Sequence, residues 1–158
     1  MKSLLFFIVS ILFLSPISYG QDLLKERIWK ISSRKKSIFL DKGVFHSKEN
    51  PVRQKLTSIR NSYVKSRGYE RVVLDFSTAQ PPQIYGLISK DSKIFIDLFN
   101  TDLGEGISSP NHVKYLKNID FYPIDSKSLS LELSFDKDVS FDIFYLENPG
   151  RLVIDIKK

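Results

Sequence analysis

Much of this chain is written twice. RVVLDFS (71–77) and PQIYGLISKDSKIFIDLFN (82–100) return as SLSLELSF (128–135) and VSFDIFYLENPGRLVIDIK (139–157). In each copy an alternating strand leads to a second strand, a polar turn and a closing strand, IFIDL or LVIDI. The copies lie about 58 residues apart, farther than one hairpin reaches, so the pattern marks an internal duplication.

From Leu56 onward apolar and polar residues alternate in short runs near 57–65, 70–76, 83–89, 93–99, 114–122, 128–134, 140–146 and 151–156. Turn chemistry separates them: Arg67-Gly68, Gln80-Pro81-Pro82, Asp91-Ser92, Gly104-Glu105-Gly106, Asp125-Ser126, Asp136-Lys137-Asp138 and Asn148-Pro149-Gly150. Eight short strands with little helical periodicity predict an all-β fold. The expected architecture is a β-sandwich of two related four-stranded sheets arising from the duplication.

Alternation also predicts which side each residue faces. Val72, Leu74 and Phe76 turn inward, as do Ile94, Ile96 and Leu98, and Leu152, Ile154 and Ile156. The opposite side carries a recurring basic, apolar, acidic triplet: Arg71-Val73-Asp75, Lys93-Phe95-Asp97 and Arg151-Val153-Asp155. On antiparallel neighbours the basic end of one strand meets the acidic end of the next. Asp75, Asp97 and Asp155 are therefore expected in cross-strand ion pairs that fix register, because a one-residue slip would bury charge.

Ahead of the strands the chain has a different character. Lys2, the apolar run Leu4 to Leu14 and the small residues of Ser18-Tyr19-Gly20 read as a secretory signal peptide over 1–20, too short to span a bilayer. No later stretch is long and apolar enough for a membrane helix, so no membrane span is expected in the mature chain. The sequence has no Cys, which excludes disulfides, thiolate metal sites and lipid attachment through a cysteine. Residues 21–55 form a basic arm, expected to be partly irregular, before the domain at 56–158. Between residues 22 and 67 there are 13 Lys/Arg against 4 Asp/Glu, whereas 68–158 hold 10 against 14. Export argues against nucleic acid as the partner of that arm; anionic headgroups, wall carboxylates or an acidic protein patch fit better. Within the arm, DLLKERIWKI (22–31) is compatible with a short amphipathic helix and SIFLDKGVF (37–45) with a hairpin around Asp41-Lys42-Gly43.

The motifs Arg71-Val-Val-Leu-Asp75-Phe, Ile84-Tyr-Gly-Leu, Ile94-Phe-Ile-Asp97-Leu and, above all, LENPGRLVIDI (146–156) together resemble the AMIN domain. That family is found ahead of bacterial cell-wall amidases and in pilus and secretion secretins. The resemblance covers about residues 56–157. It implies a sandwich of two related sheets that binds peptidoglycan and localises its host protein in the periplasm.

The chemistry for catalysis is sparse. A zinc amidase needs two or three His or carboxylate ligands and a general base, and the only histidines are His46 and His112. No nucleophile elbow frames a Ser and no glycine-rich phosphate loop occurs. The expectation is a non-enzyme with no cofactor and no metal. Glycan recognition uses aromatic faces with polar groups at their edges. Tyr63, Tyr69, Tyr115 and Tyr122 are candidates of the right type, and the ligand-binding residues expected are Arg71, Tyr85, Lys93, Phe95, Tyr145 and Arg151. Among these the basic groups are suited to stem-peptide carboxylates, and the face around Arg71, Lys93 and Arg151 is the expected contact surface. A second reading makes the protein an accessory factor of a pilus, secretion or motility complex, joined through a sheet edge.

Overall fold

The structure, a computed structural model, describes residues 35–37, 39–41, 44–136 and 138–158. The segments read as signal peptide and amphipathic helix lie outside the described residues. Among the described residues there are twelve strands: β1 (Lys35–Ser37), β2 (Phe39–Asp41), β3 (Val44–His46), β4 (Gln54–Val64), β5 (Tyr69–Phe76), β6 (Ile84–Ser89), β7 (Lys93–Phe99), β8 (Thr101–Leu103), β9 (Leu116–Pro123), β10 (Ser128–Phe135), β11 (Ser140–Leu146) and β12 (Arg151–Lys157). Among the described residues the only helical element is a single 3-10 turn, Lys65–Arg67, between β4 and β5. It closes with Gly68 at φ +68°, a left-handed conformation that glycine adopts without steric cost.

The strands form two six-stranded sheets. Sheet I has the order β1-β11-β12-β5-β4-β8 and sheet II the order β2-β3-β6-β7-β10-β9. Every pairing is antiparallel except β4 with β8. The expected all-β sandwich is present, but its sheets have six strands instead of four: the expected sets β11-β12-β5-β4 and β6-β7-β10-β9 are extended by β1 and β8 in sheet I and by β2 and β3 in sheet II. The hairpin read around Asp41-Lys42-Gly43 is the β2–β3 pair.

Neither copy makes a sheet by itself. The first copy places the hairpin β4–β5 in sheet I and the hairpin β6–β7 in sheet II, and the second copy does the reverse with β9–β10 and β11–β12. A local two-fold relation results. Ile154 lies opposite Val72 in sheet I, and Leu131 lies opposite Ile96 in sheet II, the same pairing with the copies exchanged. The hydrogen bond from Phe76 N to the Gly150 carbonyl has its twin in Phe135 N to the Ser92 carbonyl, both 3.0 Å. Two half-sized units, each unable to cover its own apolar face, thus share one interior.

That interior is what alternation predicts. Val72, Leu74 and Phe76 meet Ile94, Ile96, Leu98, Leu129, Leu131, Leu133, Phe135, Leu152, Ile154 and Ile156 in one buried cluster. Burial of each such side chain contributes roughly 1.5–3 kcal/mol of transfer free energy. Phe45 of β3 joins the same cluster and lies over Gly86, where a Cβ would fall 2.0 Å from its ring. The missing side chain of β6 is therefore replaced by a ring from the next strand.

Charge also enters the interior. Glu70, fully buried on β5, accepts hydrogen bonds from Asn61 Nδ2 at 2.7 Å, from Leu116 N at 3.1 Å and from Tyr115 N. A buried carboxylate is tolerated when its lone pairs are matched by donors. Here it ties the start of the second copy to the first.

Candidate functional site

The exchange of hairpins decides where the recurring triplets go. Strands β5 and β12 are neighbours in sheet I, so Arg71, Asp75, Arg151 and Asp155 share its outer face. Strand β7 lies in sheet II, so Lys93, Phe95 and Asp97 are on the opposite side of the sandwich. The expected surface joining Arg71, Lys93 and Arg151 therefore does not exist. Alternation separates inside from outside but does not say which sheet a strand joins.

On sheet I the charges are engaged with one another. Arg71 and Asp155 face each other in register and form a two-pronged ion pair, Nε to Oδ1 at 2.6 Å and Nη2 to Oδ2 at 2.7 Å. Asp155 is only 7 % exposed. The guanidinium also sits 5.0 Å from the Tyr69 ring and 5.6 Å from that of Phe144. Its hydrogen bond to Asp155 lifts its pKa further, and such a held fork has little capacity left for a ligand. Asp75 lies opposite Arg151 in register, yet its carboxylate is taken by Arg60 in a second fork, 2.7 Å on both arms, and by Ser58 Oγ. Burial pushes the Asp75 carboxyl up, but the hydrogen bonds from Arg60 and Ser58 prevail and hold it below its ordinary value. Arg151 Nε reaches the Pro149 carbonyl at 3.4 Å.

On sheet II the same positions carry different partners. Ser130 stands where Arg71 stands in the other copy, so Asp97 accepts a hydrogen bond from its hydroxyl at 2.7 Å, not the expected ion pair. Lys93 faces Ser134 and reaches diagonally to Glu132. The lighter polar network leaves aromatic surface uncovered. Tyr85 of β6 is 44 % exposed, Leu87 beside it 41 %, and Tyr122 of β9 50 %. Register aligns them: His46, Tyr85, Asp97, Ser130 and Tyr122 make one row across β3, β6, β7, β10 and β9. Val44, Leu87, Phe95, Glu132 and Asp120 make the next. Tyr85 and Tyr122 are three strand spacings apart, about 14 Å.

Tyr145 belongs to neither face. It projects inward from β11, packs against the buried cluster, and lines a cleft at the end of the sandwich. The structure thus places Tyr85, Lys93 and Phe95 on one surface and separates them from Arg71, Arg151 and Tyr145. Sequence reasoning gives Asp97 a register role only and misses its partner Ser130, and Glu132 beside Lys93; the available signal is the polar residues that alternate through SLSLELSF.

Among the described residues no cluster of three or more His, Asp or Glu side chains could hold a metal ion. His46 stands beside Tyr85 on β3, and His112 Nδ1 lies 2.7 Å from the Leu116 carbonyl in the loop before β9. No described helix is long and apolar enough to cross a membrane.

The described strands thus make a two-fold β-sandwich with ordered polar and aromatic residues on its outer faces. The AMIN domain family model matches residues 118–158, from β9 to the end of β12, so the likeness read from LENPGRLVIDI holds over the second copy. AMIN domains bind peptidoglycan and occur in envelope proteins. No curated protein and no solved structure matches the chain significantly.

Proposed function

We propose that this protein is an exported, non-catalytic peptidoglycan-binding module of the periplasm that holds itself, or a partner carried on its basic arm, at the cell wall. Its contact surface is the outer face of sheet II. The observation that carries this reading is the row from Tyr85 through Asp97 and Ser130 to Tyr122, with Phe95 and the Lys93–Glu132 pair alongside. A glycan strand crossing the β-strands meets an aromatic ring at either end, where sugar C–H faces stack, and a carboxylate and hydroxyl between them for hydroxyl and amide groups. Lys93 supplies a cation for stem-peptide carboxylates at the margin. The AMIN match in the second copy supports the same ligand class.

The alternative of joining an envelope complex by strand addition has less support at β9, the edge of sheet II. Ser109 Oγ already accepts the Ile119 N–H at 2.9 Å, and Pro123 has no N–H to offer. Co-sedimentation with purified sacculi tests the proposal: the protein pellets with them, and no enrichment over a control protein of similar charge ends it. A dominant protein adduct in cellular cross-linking, with little wall association, would favour the complex instead.

A further inference from the structure

A cleft of about 210 Å³ opens at the end of the sandwich, walled by residues 47–50, residues 80–82, Tyr145 and Glu147. Its walls are pinned. Asn50 Nδ2 donates to the Pro81 carbonyl at 2.8 Å, and Ser47 Oγ donates to that of Pro82 at 3.1 Å. From the other side Asn148 N and Gly150 N donate to the carbonyls of Ala79 and Thr78 at 2.7 and 2.8 Å.

The two-fold relation generates a second cleft from the β6–β7 turn and the β10–β11 connection, lined among others by Ile88, Lys90, Asp138 and Phe141. Tyr145 pairs with Leu152 as Ile88 pairs with Ile94, so Ile88 holds the place of Tyr145, and Lys90 that of Glu147. Equivalent backbone thus carries opposite charge and a different wall. What distinguishes the Tyr145 cleft is side-chain chemistry that the duplicated fold does not require.

We infer that this cleft binds the zwitterionic head of an amino acid, an ammonium and a carboxylate on one carbon, as borne by the diamino-acid side chain of a wall stem peptide. The inference rests on the wall-binding reading for the source of that group, and on the cleft alone for its chemistry. Glu49, Glu147 and Lys48 all line the cleft, so two carboxylates are available to the ammonium and one cation to the carboxylate. The Tyr145 ring and the Pro81–Pro82 rings flank the methylenes. Glu147 already makes a contact, but a carboxylate has about four lone-pair sites and accepts an ammonium as well. The volume equals about seven waters at ~30 Å³ each, room for an amino-acid head with a few methylenes.

The test is an NMR titration of the full-length protein with 2,6-diaminopimelic acid, with its di-N-acetyl derivative as control. Saturable amide shifts are expected at 47–50, 80–82 and 145–147, absent with the acetylated probe and at least about tenfold weaker in the Glu49→Gln/Glu147→Gln variant. Absence of saturable shifts there, or equal affinity in the variant, overturns the assignment. Parallel sacculus sedimentation separates the two readings. Wall binding without a response to the diamino acid removes the cleft and leaves the sheet II surface standing. A cleft response without wall binding removes the peptidoglycan reading and keeps the amino-acid site.

Discussion

A methyl group added at Gly150 falls 2.6 Å from the Gln80 carbonyl carbon and 2.7 Å from both the Gln80 oxygen and Pro81 nitrogen. Carbon atoms rest about 3.5–4.0 Å apart, and all three neighbours are backbone, so the turn or the β5–β6 connection must move by about 1 Å. That motion disturbs three backbone hydrogen bonds: Phe76 N to Gly150 O, Gly150 N to Thr78 O and Asn148 N to Ala79 O. At about 0.5–1.5 kcal/mol each, Gly150→Ala should cost about 2–4 kcal/mol, a large share of a typical stability of about 5–15 kcal/mol. The molecule contains its own control. Ser92 occupies the equivalent place in the first copy, already carries a Cβ, and sits at φ +56°. Ser92→Gly should be neutral or stabilising by up to about 1 kcal/mol, since a left-handed conformation is costly for other residues. Urea unfolding followed by far-UV circular dichroism measures both. A Gly150→Ala cost below about 1 kcal/mol, or a Ser92→Gly cost equal to it, would refute the claim that the NPGR turn is locked onto the neighbouring connection.

Four further outcomes follow from the same contacts. Arg71→Ala leaves the buried Asp155 carboxylate without its fork and should destabilise by about 3 kcal/mol, Arg71→Lys by less, while sacculus binding of the folded fraction stays unchanged. Phe45→Ala should cost about 3–5 kcal/mol; Gly86→Ala, which drives a methyl into that ring, is also destabilising, and the double variant should cost clearly less than the sum in a denaturation cycle. Leu131→Ala and Ile96→Ala, where the two copies meet in sheet II, should each cost about 2–5 kcal/mol by urea midpoint. The folded Asp75 pKa is depressed, so its stabilising contribution is present above the unfolded-state value near 4 and is lost as pH falls through the lower folded value. Asp75→Asn should therefore flatten the loss of stability in acid below about pH 4, measured by thermal unfolding across that range.

Where the sequence was legible, the reason is periodicity. All eight strands read from alternation are present, and every residue assigned inward in β5, β7 and β12 is buried, because a period of two is imposed by the pleat itself. Three-residue strands such as β8 are too short to show a period. In β4 the register shifts between Leu56 and Ser58, which moves Ile59, Asn61 and Tyr63 to the inward side and blurs the alternation of LTSIRNSYV. Glu70 was hidden by its type, although its position two residues before Val72 already put it inward. The site was less legible than the fold. Arg71, Lys93 and Arg151 look equivalent along the chain, but equivalence between copies places β7 and β12 in different sheets. Their different cross-strand partners, Asp155, Glu132 and a bare register neighbour in Asp75, depend on pairing over more than thirty positions of chain, which no local pattern encodes.

The most direct measurement compares the two faces in one sacculus co-sedimentation series. Tyr85→Ala/Tyr122→Ala removes the exposed rings of sheet II, and Arg60→Ala/Arg151→Ala removes cations from sheet I; each is used at matched folded concentration. The first pair should lower the bound fraction about tenfold or more, the loss expected when two stacking platforms go, while the second leaves it within about twofold of the parent. Equal losses from both pairs, or full retention without the tyrosines, would contradict the assignment of wall recognition to the outer face of sheet II.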